Sequence, residues 1–473
     1  MLKVVANEIS RTCQTSSRRE FLQVGTLGLG GLSLARLFST ASHASEAGKL
    51  DFVKDKAVVM LNLQGGPTHI ETFDPKMTAP SEYRAMFGEV RTSLPGVTFG
   101  SHFPGLARQA HRMAVVRSFA HGNSSHSTAS AMVSAGGNTT KACMGSIYPR
   151  IAGMSHLDTG LPRSILVTPK TMGKAYAKLK DVASRITDTG NLPESFKVFD
   201  PSSGGKILSD MQLNLPKGRF EDRNGLLRTI DDLRFQADKS GTIASQDEFH
   251  QQAYDVILGG ISNAFDISGE DKRTLEAYDT GHIRIPRGLA RKKKNGRAIP
   301  GFSPVALGRQ MLLARRLCES GCGFVTVTST GWDMHGNAFG IDDGMPILGP
   351  AVDKAVSAFL EDVHQRGLSE KILLVITGEF GRTPRINDKG GRDHWGNLCT
   401  LAFAGGGLPM GQVIGKSDKT ASRPAEDLVT NNMLLGTVMH TLFDIGQVRL
   451  LSSLPKDMQN AVVNSRPIPQ LLA

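Results

Sequence analysis

Three short segments in the last third of the chain concentrate acidic residues, histidine and glycine. They are Gly331-Trp332-Asp333-Met334-His335-Gly336-Asn337, Gly378-Glu379-Phe380-Gly381-Arg382-Thr383-Pro384 and Gly391-Arg392-Asp393-His394-Trp395-Gly396-Asn397. Asp333 and His335 are one residue apart on a Gly-flanked loop, so both side chains converge if the loop curls. A carboxylate with imidazoles suits a divalent transition metal, Zn or Mn before Ca, because Ca takes all-oxygen shells. Glu379 and His394 complete the expected ligand set of Asp333, His335, Glu379 and His394, with Asp393 behind it orienting a ring. Each residue also has an ordinary structural use: Asp-x-His as loop hydrogen bonding, Glu379 and Arg382 as an internal ion pair, Asp393 as a cap. A fourth segment, His121-Gly122-Asn123-Ser124-Ser125-His126-Ser127-Thr128, offers hydroxyls, of which Ser124 and Ser125 are the candidate nucleophiles. Arg382 or Arg392 is placed to steady the negative charge of an ester substrate.

The elements around these segments make an α/β fold the expectation. Ala57–Leu63 is an unbroken apolar run ending in Gln64-Gly65-Gly66-Pro67-Thr68-His69, which reads as a buried first strand entering a Gly-rich loop. Met113–Val116 reads as a second short strand. Later come a helix over 304–317, a strand over 324–328, a helix from about Ala351, a strand over 372–377 and a strand over 398–404. In the helix near Ala351, Val352, Ala355, Val356, Phe359, Leu360 and Val363 form one apolar stripe, which Gly367 closes. Helix and strand in alternation predict a parallel sheet whose strand-end loops share one edge, where α/β proteins bind ligands. Residues 150–300 read as insertions and helical cover, with helical patterns at 224–237 and 246–264 and a basic loop over 284–297. The expected organisation is a leader over 1–44, a linker over 45–56 and a single domain over 57–460.

The leader reading rests on Ser17-Arg18-Arg19-Glu20-Phe21-Leu22, a Gly-rich apolar stretch to Phe38, and Ser42-His43-Ala44, the pattern of a twin-arginine export signal. It places the protein in the periplasm or outside the cell. No other run reaches 18 apolar residues, so no transmembrane span is expected after cleavage. Of the formal charge of +11, the leader holds five Lys/Arg and two Glu, leaving 11 − 3 = +8. Such a surplus outside the cytoplasm points to a small anionic ester or an acidic polysaccharide and away from nucleic acid. Cys143, Cys318, Cys322 and Cys399 form no metal-binding spacing and read mostly as small buried residues, with a disulfide left open.

The twin-arginine pattern, the segment from Gly65-Gly66-Pro67-Thr68-His69 to Asp74-Pro75-Lys76, the three late segments and Ala404-Gly405-Gly406-Gly407 together resemble the bacterial exported family called domain of unknown function 1501. The resemblance spans about 57–447. That family is similar to the alkaline phosphatase and sulfatase superfamily. The resemblance implies an alkaline phosphatase-like parallel, mixed-edge sheet with helices on both faces, and metal ligands at the strand ends. It also marks departures: the first strand carries Asn62 and Gln64 where that superfamily has an Asp, and Phe380 stands where a His is expected. The Cys-x-Pro-x-Arg motif of formylglycine sulfatases is absent. The function implied is a metal-dependent hydrolase or transferase for a phosphate or sulfate ester. The alternative is a non-catalytic envelope protein that binds a metal or an anionic glycan on the same fold.

Overall fold

The computed structural model describes residues 52–156, 159–173, 176, 183–202, 262–283, 304–337, 339–452 and 454–472, with backbone alone at 293–294 and 297–298. Residues 52–473 form one compact unit. The leader over 1–44, the helical pattern at 224–237 and all but the last three residues of that at 246–264 lie outside the described residues. Of the basic loop, only a hairpin pairing Lys293–Lys294 with Arg297–Ala298 is described.

Seven strands make the central sheet: β1 (Ala57–Gln64), β2 (Met113–Val116), β3 (Ser164–Val167), β4 (Phe324–Thr330), β5 (Ile372–Thr377), β6 (Leu401–Gly405) and β7 (Gln412–Ile414), in the order β7-β2-β6-β5-β1-β4-β3. All eight residues of β1 are buried. Its side chains alternate between two cores, Ala57, Val59, Leu61 and Leu63 on one face and Val58 and Met60 on the other. Burial on both faces is what turns a strand into an unbroken apolar run.

Two helical layers cover the sheet. α3 (Leu307–Glu319) and α4 (Ile341–Gln365) pack on the first core. α1 (His126–Ala135), α2 (Met144–Ala152), α5 (Asn431–Leu442) and α6 (Lys456–Val463) pack on the second. β3, β4, β1 and β5 are parallel. β6 runs against both β5 and β2, so β2 and β7 again share the direction of β1. The one reversed strand therefore lies third from a margin.

Two elements differ from the sequence expectation. α4 begins at Ile341, ten residues before Ala351, and carries Pro346 and Pro350 inside it. Those prolines read as breakers because each lacks an N–H, yet Ile341, Met345 and Leu348 extend the buried stripe, and their burial outweighs the lost bonds. β3 comes from the region read as insertions and cover, and pairs with β4. The same region is tied to the body by Arg315, which is 1% exposed and reaches Glu270 at 2.8 Å and Asp362 at 2.9 Å. The four described cysteines are free and buried. No helix among the described residues is long and apolar enough to cross a membrane.

Candidate metal centre

Because β1, β2, β4 and β5 run the same way, the loops after them open on one edge of the sheet. Gly65 turns the chain there with φ 116°, and a Cβ on it would overlap the Asp333 amide nitrogen. Only glycine allows so close an approach. Trp332 is fully buried and donates its backbone N–H to the Gln64 carbonyl at 3.1 Å, which fixes Asp333 beside the β1 loop. Gly381–Arg382 and His394–Trp395 pair as an antiparallel ribbon with Arg382 opposite His394. The loop after β2 delivers His126 as the first residue of α1.

These segments gather donors around one oxygen. Asp333 Oδ1 lies 2.8 Å from His335 Nε2, 3.2 Å from His394 Nε2 and 3.5 Å from His126 Nε2. His335 Nε2 and His394 Nε2 are 2.9 Å apart. His126, Asp333 and His394 offer atoms all within 4.8 Å of one another. Ligands bonded at about 2 Å to a tetrahedral ion stand about 3.3 Å apart, close to the separations of the three rings from Asp333 Oδ1, although His335 is not part of the mutually close group.

The far side of each ring is held. His126 Nδ1 meets Glu379 Oε1 at 2.7 Å, His335 Nδ1 meets Asp393 Oδ1 at 2.9 Å, and His394 Nδ1 meets the Ser124 carbonyl at 3.0 Å. Acceptors at all three Nδ1 atoms would keep a proton there with a metal bound, which frees each Nε2 lone pair for it. The donor set of three imidazoles and one carboxylate fits a divalent transition metal such as Zn. Asp333, Glu379 and Asp393 against Arg382 leave two negative charges with the rings neutral, which a dication balances.

The charges of the metal-free centre follow from the same contacts. Burial alone would raise the Asp333 carboxyl, but hydrogen bonds from His126, His335 and His394 and the Arg382 charge overcome it and hold the acid well below the usual carboxylate range. Burial would lower His126, and its bonds to Asp333 and Glu379 reverse this and bring it to about 9. The His335 bond pulls Asp393 down.

Asp333, His335 and His394 come together, whereas the other expected residues take different places. Glu379 stands behind His126 as its anchor, with Oε1 also accepting the Gly65 N–H at 2.8 Å; Oε2 is buried without a hydrogen-bond partner among the described residues. Asp393 orients His335 and not its neighbour His394. Arg382, expected to face substrate, is 1% exposed and donates to the Gly66 carbonyl at 2.9 Å, the Arg392 carbonyl at 3.1 Å, the Trp332 carbonyl at 3.3 Å, the Gly65 carbonyl and Asp333 Oδ1 at 2.7 Å. Arg392 is buried against Glu71 at 3.4 Å and the backbone of the 83–84 loop. Neither arginine is free to meet an anion.

Ser124 uses Oγ to accept the Gly396 N–H at 3.0 Å and its carbonyl to hold His394. Ser125 is exposed at the N-cap of α1 without a side-chain cap bond, adjoining His126. Phe380 fills the space between the rings, with centroids 4.9 Å from His126 and 4.4 Å from His394. On the first strand, the Asn62 and Gln64 side-chain oxygens are buried without hydrogen-bond partners among the described residues. His69 is turned away to the Ala421 carbonyl and pushed by burial to about 4. His126 is the donor that reading the sequence missed. Its only signal was a histidine closing a Ser-rich loop, far in sequence from the segments it joins.

Several solved structures are similar to the chain in fold. A sulfatase of Pseudoalteromonas sp. is similar at 12% identity, over 80% of this chain and 67% of that one, with a TM-score of 0.33. The phosphonate monoester hydrolase of Silicibacter pomeroyi is similar at 9% identity, over 85% and 77%, with a TM-score of 0.37. The lipoteichoic acid synthase of Listeria monocytogenes is similar at 10% identity, over 84% and 74%, with a TM-score of 0.28. Likeness at this level leaves the chemistry to the residues themselves. No curated protein matches the chain. The family described as "Protein of unknown function (DUF1501)" matches residues 55–469, and the chain belongs to it.

Proposed function

We propose that this protein is an exported metal-dependent hydrolase or transferase acting on a phosphate or sulfate ester. The observation that carries the reading is the set of three imidazoles, each fixed through Nδ1, that turn Nε2 onto Asp333 Oδ1. Asp333, His126, His335 and His394 would hold a single ion. When bound, a divalent metal polarises an ester oxygen and acidifies a coordinated water or hydroxyl.

The residues of the chain supply the rest. Ser125 at the head of α1 stands beside the donor set, at a helix N-terminus whose partial positive charge favours an anion. Glu379, Asp393 and the Ser124 carbonyl keep the rings in the tautomer that binds metal. Phe380 packs against two of the rings and excludes water from that side. Export rests on the twin-arginine pattern over residues 1–44, and a fusion of those residues to a reporter that folds before transport tests it.

One observation favours a second reading, a metal- or glycan-binding protein without turnover: both arginines near the centre are committed to protein acceptors. Elemental analysis of natively exported protein, with aryl phosphate and aryl sulfate assays on wild type, Asp333→Ala and His126→Ala, separates the two. Stoichiometric metal with turnover lost in both variants is the expected result. Metal without turnover in wild type supports the binding protein, and absence of stoichiometric metal removes the catalytic reading.

A further inference from the structure

Arg382 is buried beside a centre that would bind a dication, an arrangement that looks self-defeating. Its Nη2 lies 2.7 Å from Asp333 Oδ1, the oxygen on which the imidazoles converge, and its Nη1 lies 3.4 Å from His335 Nε2. The guanidinium thus touches two of the four atoms that would ligate the metal. Its other N–H groups bridge the loops after β1 and β4 and the ribbon strand before His394, through the carbonyls of Gly65, Gly66, Trp332 and Arg392. Among the described residues, Asp333 is the only carboxylate that Arg382 contacts.

We infer that Arg382 is a resident cation of the centre, which neutralises Asp333 when no metal is bound and competes with the metal for it afterwards. The inference rests on the reading of these residues as a metal centre. Two consequences follow from the geometry. The half-buried carboxylate always has a positive partner in the buried guanidinium, so the loops stand assembled before any metal arrives. A metal that shares its carboxylate with a guanidinium receives less charge from it and is repelled by the nearby cation, so it binds more weakly and stays more electrophilic. Lysine could supply the charge but not the planar fork that reaches three loops at once.

The test is calorimetric titration of metal-free protein with Zn²⁺, for wild type, Arg382→Met, Arg382→Lys and Asp333→Asn, with circular dichroism to establish that each is folded. Arg382→Gln, which keeps an amide donor for the loop carbonyls, replaces the Met variant if that one does not fold. The expected result is Zn²⁺ binding at least tenfold tighter in the neutral variant, within about threefold of wild type in Arg382→Lys, and lost in Asp333→Asn. Binding in the neutral variant but not in wild type also supports the inference, since the guanidinium then wins outright. Unchanged or weaker binding by a folded neutral variant overturns the competition and leaves the metal centre standing. Binding in neither overturns both.

Discussion

Glu379→Gln isolates one charge behind the donor set. The carbonyl oxygen of glutamine can take over both roles of Oε1, accepting from His126 Nδ1 at 2.7 Å and from the Gly65 N–H at 2.8 Å. The new amide nitrogen falls where Oε2 now lies buried without a hydrogen-bond partner. The substitution therefore keeps the geometry and removes the negative charge. A hydrogen bond to a charged group contributes about 1.5–3 kcal/mol and a neutral one about 0.5–1.5 kcal/mol, so the imidazole loses about 1–1.5 kcal/mol of support. At about 1.4 kcal/mol per decade, the Zn²⁺ dissociation constant rises about tenfold, and up to about a hundredfold if the ring also tilts. Titration calorimetry at fixed pH measures this, with the thermal midpoint as the check on folding. A folded variant whose Zn²⁺ affinity lies within about twofold of wild type would refute the argument, because the charge of Glu379 would then not reach the His126 donor atom.

Three other outcomes follow from the same contacts. In the metal-free protein, His126 is raised from 6.5 to about 9, so its protonated form stabilises the fold. That contribution, at most about 3 kcal/mol, is complete below pH 6.5 and is lost as pH rises through about 9; thermal midpoints taken across that window should fall in wild type and flatten in His126→Gln, and identical slopes would count against it. Glu71→Ala strips the carboxylate from buried Arg392 at 3.4 Å, and urea denaturation should show a loss near about 3 kcal/mol, the low end for an uncompensated buried charge, since Arg392 keeps its carbonyl acceptors. Gly65→Ala drives a methyl into the Asp333 amide nitrogen at a φ that alanine rarely adopts; Zn²⁺ binding should weaken at least tenfold, and unaltered binding would mean that the β1 loop does not set the position of Asp333.

What could be read from the sequence was set by the range of the forces involved. β1, β4 and β5 announce themselves because a strand buried on both faces has no polar residue to interrupt its pattern. Asp333 and His335 are legible as strand-edge chemistry for the same reason, since β4 leads straight into them, whereas His394 was marked only by its Gly-flanked Asp-His segment and sits in a two-residue ribbon beyond β5. The role of Glu379 was not, because a carboxylate after a strand looks the same whether it faces a metal or a ring nitrogen. His126 was hidden by distance along the chain: only the shared direction of β2 and β1 brings α1 to this edge, and that direction depends on β6 running backwards between β2 and β5. The start of α4 was obscured by Pro346 and Pro350, whose local cost is overridden by burial that no short window contains.

The dispersal of the donors has a consequence for how the chain holds together. His126 and Asp333 are 333 − 126 = 207 positions apart, and His394 lies a further 61 beyond Asp333. An ion bound by all of them would act as a reversible staple across long stretches of chain, on segments already brought together by strand pairing. It would restrict the open chain far more than the native one, while each doubling of loop length adds only about 0.6 kcal/mol to that restriction. Withdrawing the ion with a chelator would therefore loosen the rim of loops first, speeding amide exchange at 117–125 and 331–337, while β1, locked between two cores, keeps its protons.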